Sequence, residues 1–244
     1  MLKNSLNVLI LSIAVVISAF LFSNAFQNRN KSSDTISVTG SGKTDFVSDL
    51  IVWKGSFSKK SSTLKEAYAS LDADREKIKN YLLSKGIPTA DIIFSAISFN
   101  KDYETSYNAN GTVRQTLFTG FTLNQNVSIQ SKDVNKIEDI SRQSSELINT
   151  GVEFYSNAPE YYYTKLAELK IKMIAEATKD ASSRAKSIAE NADATLGNLK
   201  KSDMGVFQII AQNSSEDYSY GGSFNTNSKN KTATITIKLV YQVD

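Results

Sequence analysis

The sequence predicts an α+β domain: an antiparallel sheet with a split βαβ (βαββαβ) core, a long third helix and C-terminal strands, behind an N-terminal hydrophobic helix. Three observations carry this. Apolar residues recur at period two in several stretches and at helical spacing in others. Between residues 45 and 164 those stretches run strand, helix, strand, strand, helix, strand, the order in which two helices cover one face of an antiparallel sheet. Near the C-terminus Ala233, Ile235, Ile237, Leu239, Tyr241 and Val243 alternate strictly.

The first element is the apolar run from Leu6 to Phe22, which follows Met1-Leu2-Lys3-Asn4. Ser23 and Ala25 are small residues at the positions that a cleavage after Ala25 would require, so residues 1–26 read as a signal peptide. They read equally as an uncleaved anchor, because Leu6 to Phe26 is about long enough to cross a bilayer. Residues 27–34, QNRNKSSD, form a polar linker, and 35–244 form the domain.

Within the domain, Thr35 to Thr39 alternates as a short strand, and Gly40-Ser41-Gly42 is expected to turn the chain. Val47, Ile51, Trp53 and Phe57 then mark one face of a long strand. From Ser61 to Ser84 the period becomes helical, with Leu64, Tyr68, Leu71, Ile78 and Leu82 on one stripe. Thr63 and Glu66 have capping-box spacing, and Gly86 and Pro88 stop the helix. Ile92 to Tyr103 and Thr112 to Ile129 read as a hairpin turning at Asn108-Ala109-Asn110-Gly111.

A second helix is expected from Asp133 to Asn149, with Val134, Ile137, Ile140, Leu147 and Ile148 inward and Gly151 at its end. Its exit, LINTGV, echoes the first helix's LLSKGI. The third helix, Thr164 to Glu190, carries Leu166, Leu169, Met173 and Ile174, then Ala177, Ala181, Ala185 and Ile188. That shift to alanine permits close packing. A strand near Leu199 to Ala211 and the strand Thr232 to Val243 flank NSSEDYSYGGSFNTNSKNK, a low-complexity stretch expected to form a mobile loop.

Composition narrows the chemistry. The 244 residues include no histidine and no cysteine, which removes Ser-His-Asp and Cys-His nucleophiles, imidazole or thiolate metal sites and disulfides. A net charge of +3 with scattered lysines argues against a nucleic-acid partner.

Four motifs invite a chemical reading. VTGSGKT, Val38 to Thr44, resembles a phosphate-binding loop, but Ser37 stands where the first glycine belongs. Lys43 and Thr44 also lead into a strand rather than a helix, so no nucleotide is expected and Lys43 should face solvent. Ser62-Lys65 and Ser183-Lys186 share the Ser-x-x-Lys spacing of penicillin-recognising enzymes without the partner motifs. Asp72, Asp74, Glu138 and Asp139 fall on helix faces expected to be solvated, where a glycosidase-like acid pair lacks a partner across a cleft. Tyr161-Tyr162-Tyr163, Tyr218 and Tyr220 suit either packing or a contact surface.

ISVTGSGKTDFVSDLIVWKGSFS, LLSKGIPTADI, AEATKDASSRAKSIAENADATLGNL and ITIKLVYQV, taken in order, resemble the SIMPL-domain proteins over Thr35 to Val243. That family includes bacterial periplasmic and outer-membrane-associated immunogenic proteins. The resemblance implies an exported α+β domain with ring-like or channel-like assembly in some members and no established enzymatic activity. Relatives are associated with envelope or oxidative stress, and a eukaryotic member with kinase signalling. Two departures stand out: Ser48-Asp49 where the family often has Pro-Asp, and a longer polar loop from Asn213 to Lys231.

The expectation is therefore a non-enzymatic envelope protein, self-associating and held to the membrane through residues 6–26 or exported to the periplasm. It needs no cofactor or metal, and no catalytic, cofactor-binding or metal-ligating residue is assigned. The rival readings are a small-ligand or glycan binder and a hydrolase using carboxylates or serine-lysine pairs.

Overall fold

The computed structural model describes residues 2–29, 34–214, 219 and 221–243, with side chains from 11 to 26 in the first stretch. Its elements begin with α1 (Leu2–Arg29), β1 (Thr35–Val47), β2 (Leu50–Ser61), α2 (Leu64–Ser84) and β3 (Ile92–Phe94). Next come β4 (Ser98–Tyr107), β5 (Val113–Ser131), α3 (Val134–Gln143), β6 (Phe154–Ser156) and β7 (Glu160–Tyr162). The chain continues through α4 (Leu166–Asn191), β8 (Leu196–Met204), β9 (Gln208–Ala211) and β10 (Asn230–Val243). These fall into two compact units, Met1–Ser41 with Ala177–Gly205 and Ile237–Asp244, and Gly42–Glu176 with Val206–Thr236.

The second unit holds the split βαβ core. Its sheet runs β3-β5-β2-β6, with β4 also on β5 and β7 also on β2. All pairs are antiparallel, and β2 meets β5 from Ile51↔Ser131 to Ser61↔Phe121. Alternation turns Ile51, Trp53 and Phe57 of β2 and Leu123, Val127 and Ile129 of β5 to one face. There they meet Ala67, Leu71, Ile78 and Leu82 of α2 and Val134, Ile137 and Ile140 of α3 in one hydrophobic core. Trp53 is fully buried, its ring edge-on to Phe154 at 5.9 Å and its Nε1 donating to Ser156 Oγ at 3.0 Å.

Helix ends follow local chemistry. Thr63 Oγ1 accepts from the Glu66 amide, but the Glu66 carboxylate accepts from Ser61 Oγ at 2.8 Å, so only half a capping box forms. Gly86 (φ 75°) and Gly151 (φ 78°) take the left-handed conformation that closes both matching helix exits. The second helix departs from the expected length: α3 stops at Gln143 and continues as 3-10 helix from Ser144 to Thr150. Ser141 Oγ and Ser144 Oγ bond back to the carbonyls of Glu138 and Ser141, each at 2.7 Å, competing with the backbone ladder there.

Several inward assignments shift. Leu64 and Tyr68 are exposed and Asp74 occupies the buried stripe of α2 instead. Ile148 and Ile188 are also exposed. The expected strand from Ile92 to Tyr103 is broken into β3 and β4, and that near Leu199 to Ala211 into β8 and β9. Ser48 and Asp49 separate β1 from β2. The Ser48 amide donates to Lys229 O at 2.9 Å, and the Asp49 carboxylate accepts from the Thr164 amide and hydroxyl, both at 2.7 Å.

In the first unit β10 lies between β1 and β8, running antiparallel to β8 from Ile237↔Met204 to Val243↔Leu196. The Val243 amide donates to Asp34 O at 2.8 Å. Ala181, Ala185 and Ala189 of α4 are buried. The expected turn at Gly40-Ser41-Gly42 is absent, because β1 continues through all three residues with Val38, Gly40 and Gly42 buried and Thr39 and Ser41 exposed. A Cβ on Gly40 would lie 2.3 Å from Ala177 O and 2.4 Å from Ala181 N. These glycines exist for close approach, not for reversal.

α1 exposes Leu11, Val15, Val16, Phe20 and Phe22 among other apolar side chains. Among the described residues no helix is long and apolar enough to cross a membrane. The side chains of Leu6 to Ile10, part of the expected span, and linker residues 30–33 lie outside the described residues.

Candidate functional site

The VTGSGKT stretch, Val38 to Thr44, lies within β1. A phosphate cradle needs free amides at the mouth of a helix. Here the Ser41 amide donates to the Asp180 carboxylate at 2.9 Å, and Asp180 is also bound by Arg184. The Ser41 amide and then Arg184 hold the Asp180 carboxyl below the usual carboxylate range. Asp45 accepts from Thr232 Oγ1 at 2.5 Å and from Gln212 Nε2 at 3.1 Å. The Thr232 hydroxyl, followed by Gln212 and Lys43, lowers its pKa. Lys43 itself is exposed on the strand.

The serine-lysine pairs lie at exposed positions: Ser183 and Lys186 on the outer side of α4, Lys65 in the first turn of α2. The four carboxylates do not converge. Asp72 pairs with Arg75 at 2.6 Å and Asp139 is exposed. Asp74 corrects the expectation of a solvated acid: it is 3% exposed and paired with Lys59 at 2.9 Å. Glu138 is half-buried, held below its ordinary pKa first by Lys229 at 2.8 Å, with Arg142 adding to the effect. Among the described residues no group of three or more His, Cys, Asp or Glu side chains is placed to hold a metal.

One cluster was missed by sequence reading. Lys231 is 1% exposed, and its ammonium donates to the carbonyls of Tyr161 at 2.5 Å and Asn225 at 2.6 Å and lies 5.7 Å from the Phe224 ring. Further bonds run from the Tyr161 amide to Thr226 O and from Gln208 Nε2 to Ser219 O. The described part of the polar segment is therefore stitched down rather than loose. A signal existed, since Lys231 continues the inward parity of Ala233 and Ile235. Tyr161 is buried, and Tyr163 stacks on Phe46 at 4.8 Å, so both are packing residues; Tyr218 and Tyr220 lie outside the described residues.

Burial pulls the Lys231 ammonium down to about 8 from an ordinary 10.5. Between those values the unfolded chain holds more protons than the folded one, so raising the pH favours folding. Unfolding free energy measured by urea titration should rise by on the order of 2 kcal/mol from the lower to the upper end of that window. Lys231→Met should flatten this rise, and an unchanged slope would show that the ammonium is solvated.

The other conspicuous surface is the β4–β5 hairpin. Phe99, Tyr103, Tyr107 and Phe118 are all exposed. Tyr103 lies 5.7 Å from Phe118, which lies 5.1 Å from Phe121, forming an aromatic ladder along the ribbon. The register moves from Asp102↔Gly120 to Tyr103↔Phe118 and from Ser106↔Gln115 to Tyr107↔Val113, which places the extra residues Thr119 and Arg114 on β5. β4 thus alternates without interruption. Among the described residues its second edge pairs with no strand.

A surface concavity of 440 Å³ is lined by Lys186, Glu190, Thr195 and Leu196, and one of 280 Å³ by Arg75, Glu76, Lys79, Thr89, Ile92 and Phe94. A family model described as SIMPL, a protein of unknown function (DUF541), matches residues 36–241. No curated protein matches the chain.

Proposed function

Because the chain belongs to the SIMPL family, we propose that it is a non-enzymatic protein of the cell envelope that works by associating with further copies of itself into a ring- or channel-like assembly. The observation that carries this reading is the hairpin with its exposed aromatic ladder and unpaired β4 edge, a surface that a lone soluble protein would ordinarily blunt. The exposed apolar side chains of α1 support a place at a membrane, through an anchor or after export. The proposal extends to a role in envelope or oxidative stress, with which relatives of the resemblance are associated.

Sedimentation velocity of the full chain in mild detergent over a wide concentration range is the test. An oligomer that persists on dilution is expected; a monodisperse monomer throughout would overturn self-association. The second reading, a small-ligand or glycan binder, draws on the 280 Å³ groove, where Ile92 and Phe94 lie beside Arg75 and Lys79.

A further inference from the structure

We propose that the free edge of β4 is the surface that joins two copies of this chain, their β4 strands pairing antiparallel about a twofold axis at Thr105. This rests on the self-association proposed above and gives it one address; a ring would need a second interface besides this closed twofold one. Two identical strands paired side by side in one sheet are related by an axis perpendicular to that sheet, so each residue faces one on its own side of the pleat. The axis must then pass through a residue of β4; at Ser98, Phe99, Ser106 or Tyr107 it would pair at most three residues of the strand, and among the other positions the charges and the aromatic residues decide.

An axis at Lys101, Asp102 or Glu104 sets that residue against its own copy, and one at Tyr103 sets Asp102 against Glu104. Each opposes like charges, which is destabilising. An axis at Asn100 avoids this but pairs Phe99 with Lys101 and leaves Tyr103 and Tyr107 uncovered. At Thr105 the strand complements itself: Tyr103 faces Tyr107 twice, Glu104 faces Ser106 twice and Thr105 faces Thr105. Aromatic and Thr–Thr pairs are favoured cross-strand neighbours. The residues thereby covered include Tyr103 and Tyr107, 56% and 63% exposed in the single chain.

The occupant is a second copy rather than an anionic lipid surface or a nucleic acid. Lys101 and Arg114 balance Asp102 and Glu104 along the hairpin, so it offers no net positive field to either. Both bulges sit on β5, leaving β4 a regular template for a partner strand.

The chain has no cysteine, so one introduced thiol reports alone. In the full-length protein, Thr105→Cys would face its own copy at a Cβ separation of about 4.5–5.5 Å, close to disulfide range. Ser98→Cys, on the same strand, would face a residue beyond the turn. Under mild oxidation Thr105→Cys is expected to form dimers at least about tenfold faster than Ser98→Cys. Equal rates, or a Thr105→Cys adduct with a different protein, would overturn the proposal. If the unmodified chain still sediments as an oligomer in that case, only the β4 surface is wrong; if it is a monomer, self-association falls as well. As a second arm, Tyr103→Lys with Tyr107→Lys changes exposed residues and should leave the circular dichroism intact while raising the dissociation concentration about tenfold or more. Unchanged dissociation would also overturn it.

Discussion

Gly40→Ala is expected to destabilise the first unit by about 3 kcal/mol or more, although it adds a single methyl group. The added Cβ would lie 2.3 Å from Ala177 O and 2.4 Å from Ala181 N, and it would also meet Ala181 Cβ at 2.7 Å. Two of those three atoms are helix backbone, which cannot swing aside as a long side chain would. Relief requires α4 to lift from β1, losing dispersion contacts along its alanine face. Thr39→Ala, one residue away with its side chain exposed, should cost under about 1 kcal/mol. Urea titrations followed by far-ultraviolet circular dichroism check both. Equal small effects would mean that helix and strand are not in this close contact in solution.

Trp53→Ala should cost about 3–5 kcal/mol and leave the second unit partly unfolded at ambient temperature. Trp53 is fully buried in the core beside Phe154, and a site left by so large a side chain collapses only partially. Its Nε1–H···Oγ bond to Ser156 continues into the bond from Ser156 Oγ to Ser141 O at 3.2 Å. The indole therefore links β2 to β6 and to the end of α3. Trp53→Phe keeps most of the apolar area and leaves Ser156 free to turn, so it should cost about 1–2 kcal/mol. Thermal unfolding of the two variants separates volume from hydrogen bonding, and equal losses would assign the effect to the indole's hydrogen bond rather than to its volume.

The split βαβ order was legible because each element carries a period that its own geometry imposes. Ile51, Trp53 and Phe57 mark a buried strand face, and Leu71, Ile78 and Leu82 a helix stripe, wherever the elements end up. Thr63, Gly86 and Gly151 were equally readable, since caps and left-handed exits are decided within a few residues. The glycine run was misread because a strand whose inward residues are glycine has no hydrophobic alternation to display. Asp74 was misread for a related reason: it stands on the buried stripe of α2, but a polar residue there makes sense only with Lys59 of β2 beside it. Such pairings are tertiary and leave no local mark. The exposed ladder of Phe99, Tyr103, Tyr107 and Phe118 was hidden because alternating aromatics look the same at a surface as against a core.

The bond from the Val243 amide to Asp34 O, together with the place of β10 between β1 and β8, ties the first strand of the domain to its last. β2 to β7 lie between Leu50 and Tyr162, so their sheet can close while the rest of the chain is still being made. β1 precedes them all and waits for β10. Its hydrogen-bonding edge stays vacant until the residues of β10 have been made, and closing so long a loop is slow. During that interval β1 is open to a chaperone, or to mispairing with the β1 of a neighbouring nascent chain.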